Sequence, residues 1–228
     1  LSVTMHMRAK MGKVTVFDPQ GLSGVERSMR INPITGCEDP LVAMQRAQAI
    51  MGGTALGSST TNSEWAAEAE TILSRLLLAA ARGGKDVTAL RDWGSAPSMA
   101  RGAVAVLEND GEQGWADSLK AVLDGDPKLM QSRWMGVSAA LAPLQLPQVA
   151  ASMMPTATDR AFDVDEFLSG PNTLYLIGTR SGAGAAGGFL GAVLDDIVEQ
   201  ARRKALRSPG SRLDPPLGLI LDLSLIHI

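Results

Sequence analysis

Aromatic residues make up only 4% of this chain and cysteine occurs once, so neither stacked rings nor a disulfide framework can hold it together. The lone Cys37 excludes an internal disulfide, which suits a reducing compartment and equally a secreted protein that carries none. Cys37 has no C-x-x-C partner, and the two histidines, His6 and His227, stand near opposite termini, so no metal-ligand cluster is spelled out. No apolar run reaches the ~18 residues of a membrane span, and no basic-plus-apolar leader opens the chain. It begins at Leu1 with no initiator methionine, from which we expect an internal piece of a longer protein. The net charge of -3 argues against a strongly basic nucleic-acid sleeve while leaving room for local basic patches.

What remains is a chain of 228 residues, 45% apolar, enough for one large or two small domains with a sizeable core. That core must come from Ala, Leu, Val, Ile and the 11 Met, as helix-rich packing allows. Lys13 to Phe17 is β-branched and aromatic and stops at Asp18-Pro19-Gln20-Gly21, which predicts a short strand, apolar enough to be covered on both faces, and a turn. Asp39 then caps a helix with Pro40 at its first position, running from about Pro40 to Met51 and closed by Gly52-Gly53.

From Thr61 to Leu146 the periodicity is helical. Thr61-Asn62-Ser63-Glu64 has the form of a capping box, and Trp65, Ala69, Ile72, Leu73, Leu76 and Leu77 fall on one helical face that Gly83-Gly84 ends. Further helices are predicted at Val87 to Trp93, Ser98 to Asn109, Gln113 to Leu123 and Pro127 to Leu141, with glycine or proline in each gap. The pattern then reverts: a helical turn at Asp163 to Leu168, a buried strand at Thr173 to Ile177, a helix from about Ala185 to Leu206, and a fully apolar strand at Leu217 to Leu221 after the break at Pro209-Gly210. Strand, helix and strand in that order imply a right-handed crossover in one sheet. We therefore expect an α/β fold, with a core of residues 1–57 and 164–228 interrupted by an all-α domain at 58–163.

Three stretches carry candidate chemistry. Leu217 to Asp222 has the form of a Walker B strand, whose terminal carboxylate holds the water shell of Mg²⁺ on a nucleotide. A strand merely meeting a turn reads the same way. Gly182-Ala183-Gly184-Ala185-Ala186-Gly187 satisfies G-x-G-x-x-G between a strand and a helix, the form of a dinucleotide loop. Thr179-Arg180-Ser181 intervenes before the first glycine, and the same small residues serve close packing of helix on sheet. Ser58 to Asn62 lacks the lysine and glycines of a phosphate loop and reads as a linker. The cations Arg202, Arg203, Lys204 and Arg207 could meet DNA phosphates or lie solvated near a helix carboxyl end, where the dipole favours them.

As a set, these segments resemble the actinobacterial branch of the TraG/TraD-type coupling proteins of type IV secretion and conjugative DNA transfer. VTVFDPQG (Val14 to Gly21) resembles the family's strand and D-P-x-G turn, and INPITGCEDPLVAMQRAQAI (Ile31 to Ile50) its W-N-P-L-x-G segment and following helix. EWAAEAETILSRLLLAAA (Glu64 to Ala81) is similar to the F-W-x-x-x-A opening of its all-α domain, while NTLYLIG (Asn172 to Gly178) and RLDPPLGLILD (Arg212 to Asp222) look like its later core strands, the second its Walker B.

The resemblance implies a RecA-like P-loop NTPase core, mostly parallel in its sheet, with an inserted all-α domain. It implies a ring-forming ATPase, anchored in the membrane by a segment upstream of Leu1, that recruits relaxase-bound DNA to a secretion channel using ATP and Mg²⁺. Asp222 would hold Mg²⁺ through water, and Asp18, Gln20 and Arg180, which follow core strands, would lie in the nucleotide neighbourhood. No G-x-x-x-x-G-K-[ST] occurs, so the phosphate loop is expected upstream, and this chain alone is not expected to catalyse. LSLIHI (Leu223 to Ile228) departs from the family, which places a glutamate after the Walker B aspartate; it reads like a translated sequencing adapter and is expected to be non-native. Two other readings stay open: a nicotinamide- or flavin-binding domain built on Gly182 to Gly187, and a non-catalytic helical adaptor that docks partner proteins.

Overall fold

A computed structural model describes residues 2–25, 29–156, 159, 162–179 and 186–221. It is 61% helical, and its sheet among the described residues is a single pair of parallel strands. This corrects the expected RecA-like core with a mostly parallel sheet: the protein is mostly helical. The physical cause lies at Leu217 to Leu221, where the expected third core strand does not form. Leu219, Ile220 and Leu221 are 51%, 98% and 62% exposed, so this apolar stretch neither pairs its backbone nor buries its side chains.

The element order is α1 (Ser2–Arg8), β1 (Val14–Phe17), α2 (Pro40–Gly52), α3 (Ser63–Arg82), α4 (Val87–Ser95), α5 (Arg101–Asn109), α6 (Gln113–Leu123), α7 (Pro127–Leu141), α8 (Pro147–Ser152), α9 (Val164–Leu168), β2 (Thr173–Leu176) and α10 (Gly187–Arg207). Short 3₁₀ turns cover Pro97–Ala100, Ala142–Gln145 and Pro209–Ser211. The Thr173 N–H donates to Lys13 O at 2.8 Å and the Ile177 N–H to Phe17 O at 3.0 Å, both pairs 160 positions apart (173 less 13, 177 less 17), the constant offset of a parallel register.

The chain divides into two compact units. The larger comprises Thr15–Phe162 and Leu174–Asp195. Its centre is α3, which packs against α2, α4, α5, α6 and α7. Ala69, Ile72, Leu73, Leu76 and Leu77 are buried as the periodicity predicts, whereas Trp65, at the first turn, stays 39% exposed. Close approach is set by glycine: a Cβ on Gly188 of α10 would lie 2.2 Å from Ile50 O in α2, and one on Gly53 would lie 2.2 Å from the Gly188 nitrogen. Helix starts follow side-chain chemistry. Asp39, Asp86 and Asp126 accept from the first-turn amides of α2, α4 and α7, and Pro occupies the first turn of α2 and α7. The expected capping box of α3 is not made, since Asn62 takes the cap position and its side chain caps nothing.

The smaller unit comprises Leu1–Val14, Asp163–Thr173 and Asp196–Ile228. Within it Asn172 fastens three segments: its Oδ1 accepts from the Lys13 N–H at 3.0 Å, and its Nδ2 donates to the carbonyls of Glu166 and Phe167. A Cβ on Gly12 would lie 2.4 Å from Pro171 O, so the turn at Pro171 passes directly over the entry to β1. Lys204 bonds Asp165 and Ser169, tying α9 to the last turns of α10. β2 is half-buried throughout, against the expectation of a buried strand.

Candidate functional site

The residues that follow β1 and β2 form the best-built polar site among the described residues, and it lies within the larger unit. Asp18-Pro19-Gln20-Gly21 makes the expected turn, with the Gly21 N–H donating to Asp18 O at 3.2 Å and Gly21 at φ 69°, a backbone region that glycine enters freely. Asp18 is 0% exposed, and its carboxylate is fully engaged by its own loop. Oδ1 accepts from the Leu22 N–H at 3.0 Å, and Oδ2 accepts from the Ser23 N–H at 2.8 Å and the Ser23 Oγ–H at 2.6 Å. Burial pushes the Asp18 carboxyl up, but the Ser23 hydroxyl and the amides of Ser23, Leu22 and Gly21 outweigh it and hold the group below its ordinary value. Asp18 is thus an ionised brace for the turn.

Gln20 faces the other strand. Its Oε1 accepts from the Thr179 N–H at 3.0 Å and its Nε2 donates to Thr179 Oγ1 at 3.1 Å, while its backbone carbonyl accepts from Gln148 Nε2 at 2.8 Å. Gly178 makes room there: a Cβ on it would lie 2.2 Å from Leu190 Cδ1 and 3.4 Å from Gln20 Oε1. Asp18, Gln20 and Thr179 therefore gather at the carboxyl ends of the two parallel strands, where open α/β sheets bind ligands. Arg180 and Asp222 lie outside the described residues, as do Gly182 to Ala185 of the glycine-rich stretch and Leu223 to Ile228. Thr179, Gln148 and Ser23 escaped the sequence reading. Ser23 was legible in principle, because aspartate commonly bonds amides a few residues on in a turn; Gln148 carries no local signal.

Phe17, Arg46, Met153 and Phe189 line a crevice of about 10 Å³, room for one water and far short of a nucleotide. Among the described residues no three His, Cys, Asp or Glu side chains gather to hold a metal ion, and no helix is long and apolar enough to cross a membrane.

Five arginines of the helical stretch are engaged within the protein. Arg75 stands 5.1 Å above the Trp115 ring and donates to Ser118 Oγ and Thr71 O, with burial pushing its guanidinium down. Arg82 bridges Asp110 at 2.9 Å and Glu112 at 3.1 Å, Arg101 pairs with Asp124 at 2.8 Å, Arg133 with Glu68 at 3.1 Å, and Arg91 with its neighbour Asp92 at 2.9 Å. Arg82, Arg91, Arg101 and Arg133 thus carry their charge in ion pairs. No protein-family model, curated protein or solved structure matches this chain.

Proposed function

We propose that this chain is part of a coupling ATPase of type IV secretion, a protein that uses nucleotide hydrolysis to recruit relaxase-bound DNA and pass it to a secretion channel. In the intact protein, copies assemble as a ring, an upstream segment anchors it at the cytoplasmic side of the plasma membrane, and ATP and Mg²⁺ bind, with Asp222 holding the metal through water. Asp18, Gln20 and Arg180 then belong to the nucleotide neighbourhood. The observation that supports this reading is the parallel pairing of β1 with β2 across a helical insertion, which brings the D-P-x-G turn and Thr179 to one strand-end edge. The order of the segments from Val14 to Asp222 resembles that of the same family.

The test has two steps. Reading the coding sequence upstream of Leu1 should reveal G-x-x-x-x-G-K-[ST]; an intact start codon close by with no such motif overturns the proposal. The whole gene product should then hydrolyse ATP, and Asp222→Asn should lower that rate by about a hundredfold, the scale of losing one preorganised electrostatic contact to the reacting phosphate. Hydrolysis at the unaltered rate by the variant would remove Asp222 from the mechanism.

A second reading is favoured by the ion pairs of the helical stretch. With Arg75, Arg82, Arg91, Arg101 and Arg133 engaged by the protein itself, the helices suit docking of a protein partner better than gripping DNA phosphates. Capture of a relaxase by this chain in the absence of DNA supports that role; capture only when DNA is present opposes it.

A further inference from the structure

The last turns of α10 carry a face unlike the ion-paired surface of the larger unit. At about 100° per residue around the helix, Arg202, Leu206, Arg203 and Arg207 follow one another in that order within an arc of about 140°, and all four are exposed. Arg202 and Arg207 pair with no acidic side chain among the described residues, in contrast to Arg82, Arg91, Arg101 and Arg133. Arg203 meets only Glu199, one turn back at 2.9 Å, and an exposed pair of that kind holds it weakly. The helix dipole accounts for cations at a carboxyl end, and Lys204 is already bonded to Asp165. It does not account for Leu206, which stands 74% exposed between Arg202 and Arg203.

We propose that this face of α10 docks on an anionic phospholipid surface, with the arginines meeting lipid phosphates and Leu206 entering the headgroup boundary. An apolar side chain among cations gains by leaving water at such an interface, where the cations gain from the negative surface potential. Duplex DNA would satisfy the arginines but leave Leu206 in water, so the apolar member of the face favours lipid over nucleic acid. The contact is weak and reversible: each cation near an anionic surface is worth about fivefold in partitioning, and one partly buried leucine adds a similar factor. It involves no nucleotide and stands apart from the coupling-ATPase reading.

Sedimentation of the full chain with lipid vesicles tests this. Binding is expected to vesicles of phosphatidylcholine and phosphatidylglycerol in equal parts, and is expected to be lost on pure phosphatidylcholine. Arg202→Gln combined with Arg207→Gln should weaken binding about twentyfold and Leu206→Ser about threefold, with the helical circular dichroism unchanged because these positions are exposed. Lys120→Gln combined with Lys128→Gln removes the same charge from exposed positions of the larger unit and should alter binding by less than about twofold. The proposal is overturned when the chain ignores phosphatidylglycerol, or when the two double variants weaken binding equally, the mark of net charge alone. It is overturned too when Leu206→Ser changes nothing while duplex DNA binds through Arg202 and Arg207.

Discussion

Asp18 is where sequence and structure give one residue two descriptions. The D-P-x-G turn predicts a carboxylate at a strand's carboxyl end, next to a ligand site; the structure spends that carboxylate on the amides of Leu22 and Ser23 and the Ser23 hydroxyl. Asp18→Ala should cost about 2 kcal/mol, the worth of hydrogen bonds to a charged group less what water recovers, and lower the melting temperature by about 4–8 °C. The group also sets a pH dependence. Its folded-state carboxyl lies below the ordinary value, so its stabilisation is present above the unfolded pKa of about 3.9 and disappears as pH falls through the folded value. Acid unfolding of Asp18→Asn should therefore show a weaker dependence on pH below about 4; an unchanged profile would mean that the loop does not hold the ionised form.

At the scale of elements, caps and glycine contacts give sharper contrasts. Asp86 accepts from the Thr88 and Ala89 amides, so Asp86→Ala should cost about 1 kcal/mol, whereas Asn62→Ala should cost almost nothing because that side chain makes no cap bond. Denaturant midpoints of the two variants check this; equal losses would mean that the Asn62 side chain caps α3 after all. Gly188→Ala drives a methyl to 2.2 Å from Ile50 O, a backbone atom that can retreat only if α2 and α10 separate, and should cost about 2–3 kcal/mol. Gly94→Ala meets side-chain atoms of Leu141, the nearest being its Cδ1 at 2.3 Å, and no backbone, so it should cost less than Gly188→Ala. Here the sequence was highly legible. Gln113–Leu123 and Pro127–Leu141 carry the bounds that their periodicity and flanking turn residues predict, because a helix satisfies its backbone from its own neighbours in sequence. The helices α1 and α8 went unread, being 7 and 6 residues long, too short to display a period.

At the scale of the whole molecule, the decisive finding is a mostly helical protein with, among the described residues, two paired strands where a larger parallel sheet was expected. The segment Leu217 to Leu221 is the test of that architecture. Its amides should exchange at close to the unprotected rate, consistent with Ile220 at 98% exposure; strong protection at Leu219 to Leu221 would restore the third strand. Binding to duplex DNA offers a second check. With Arg82, Arg91, Arg101 and Arg133 in ion pairs, the affinity of this chain should be weak and lose little between low and moderate salt; a steep decline would mean that several cations neutralise phosphates.

Of the site, the turn at Asp18 and the strand at Thr173 could be read from neighbouring residues alone, because turn chemistry and a run of apolar and aromatic residues are local properties. So could every long helix, whose hydrogen bonds close within four residues. Which strands pair could not: an apolar run commits to a sheet only when another strand offers its carbonyls and amides, and Leu217 to Leu221, as apolar as β2, remains exposed without that partner. The engagement of Gln20 with Thr179 and Gln148, and of Arg75 with Trp115, likewise belongs to folding alone, since each joins side chains far apart along the chain that only packing brings within bonding distance.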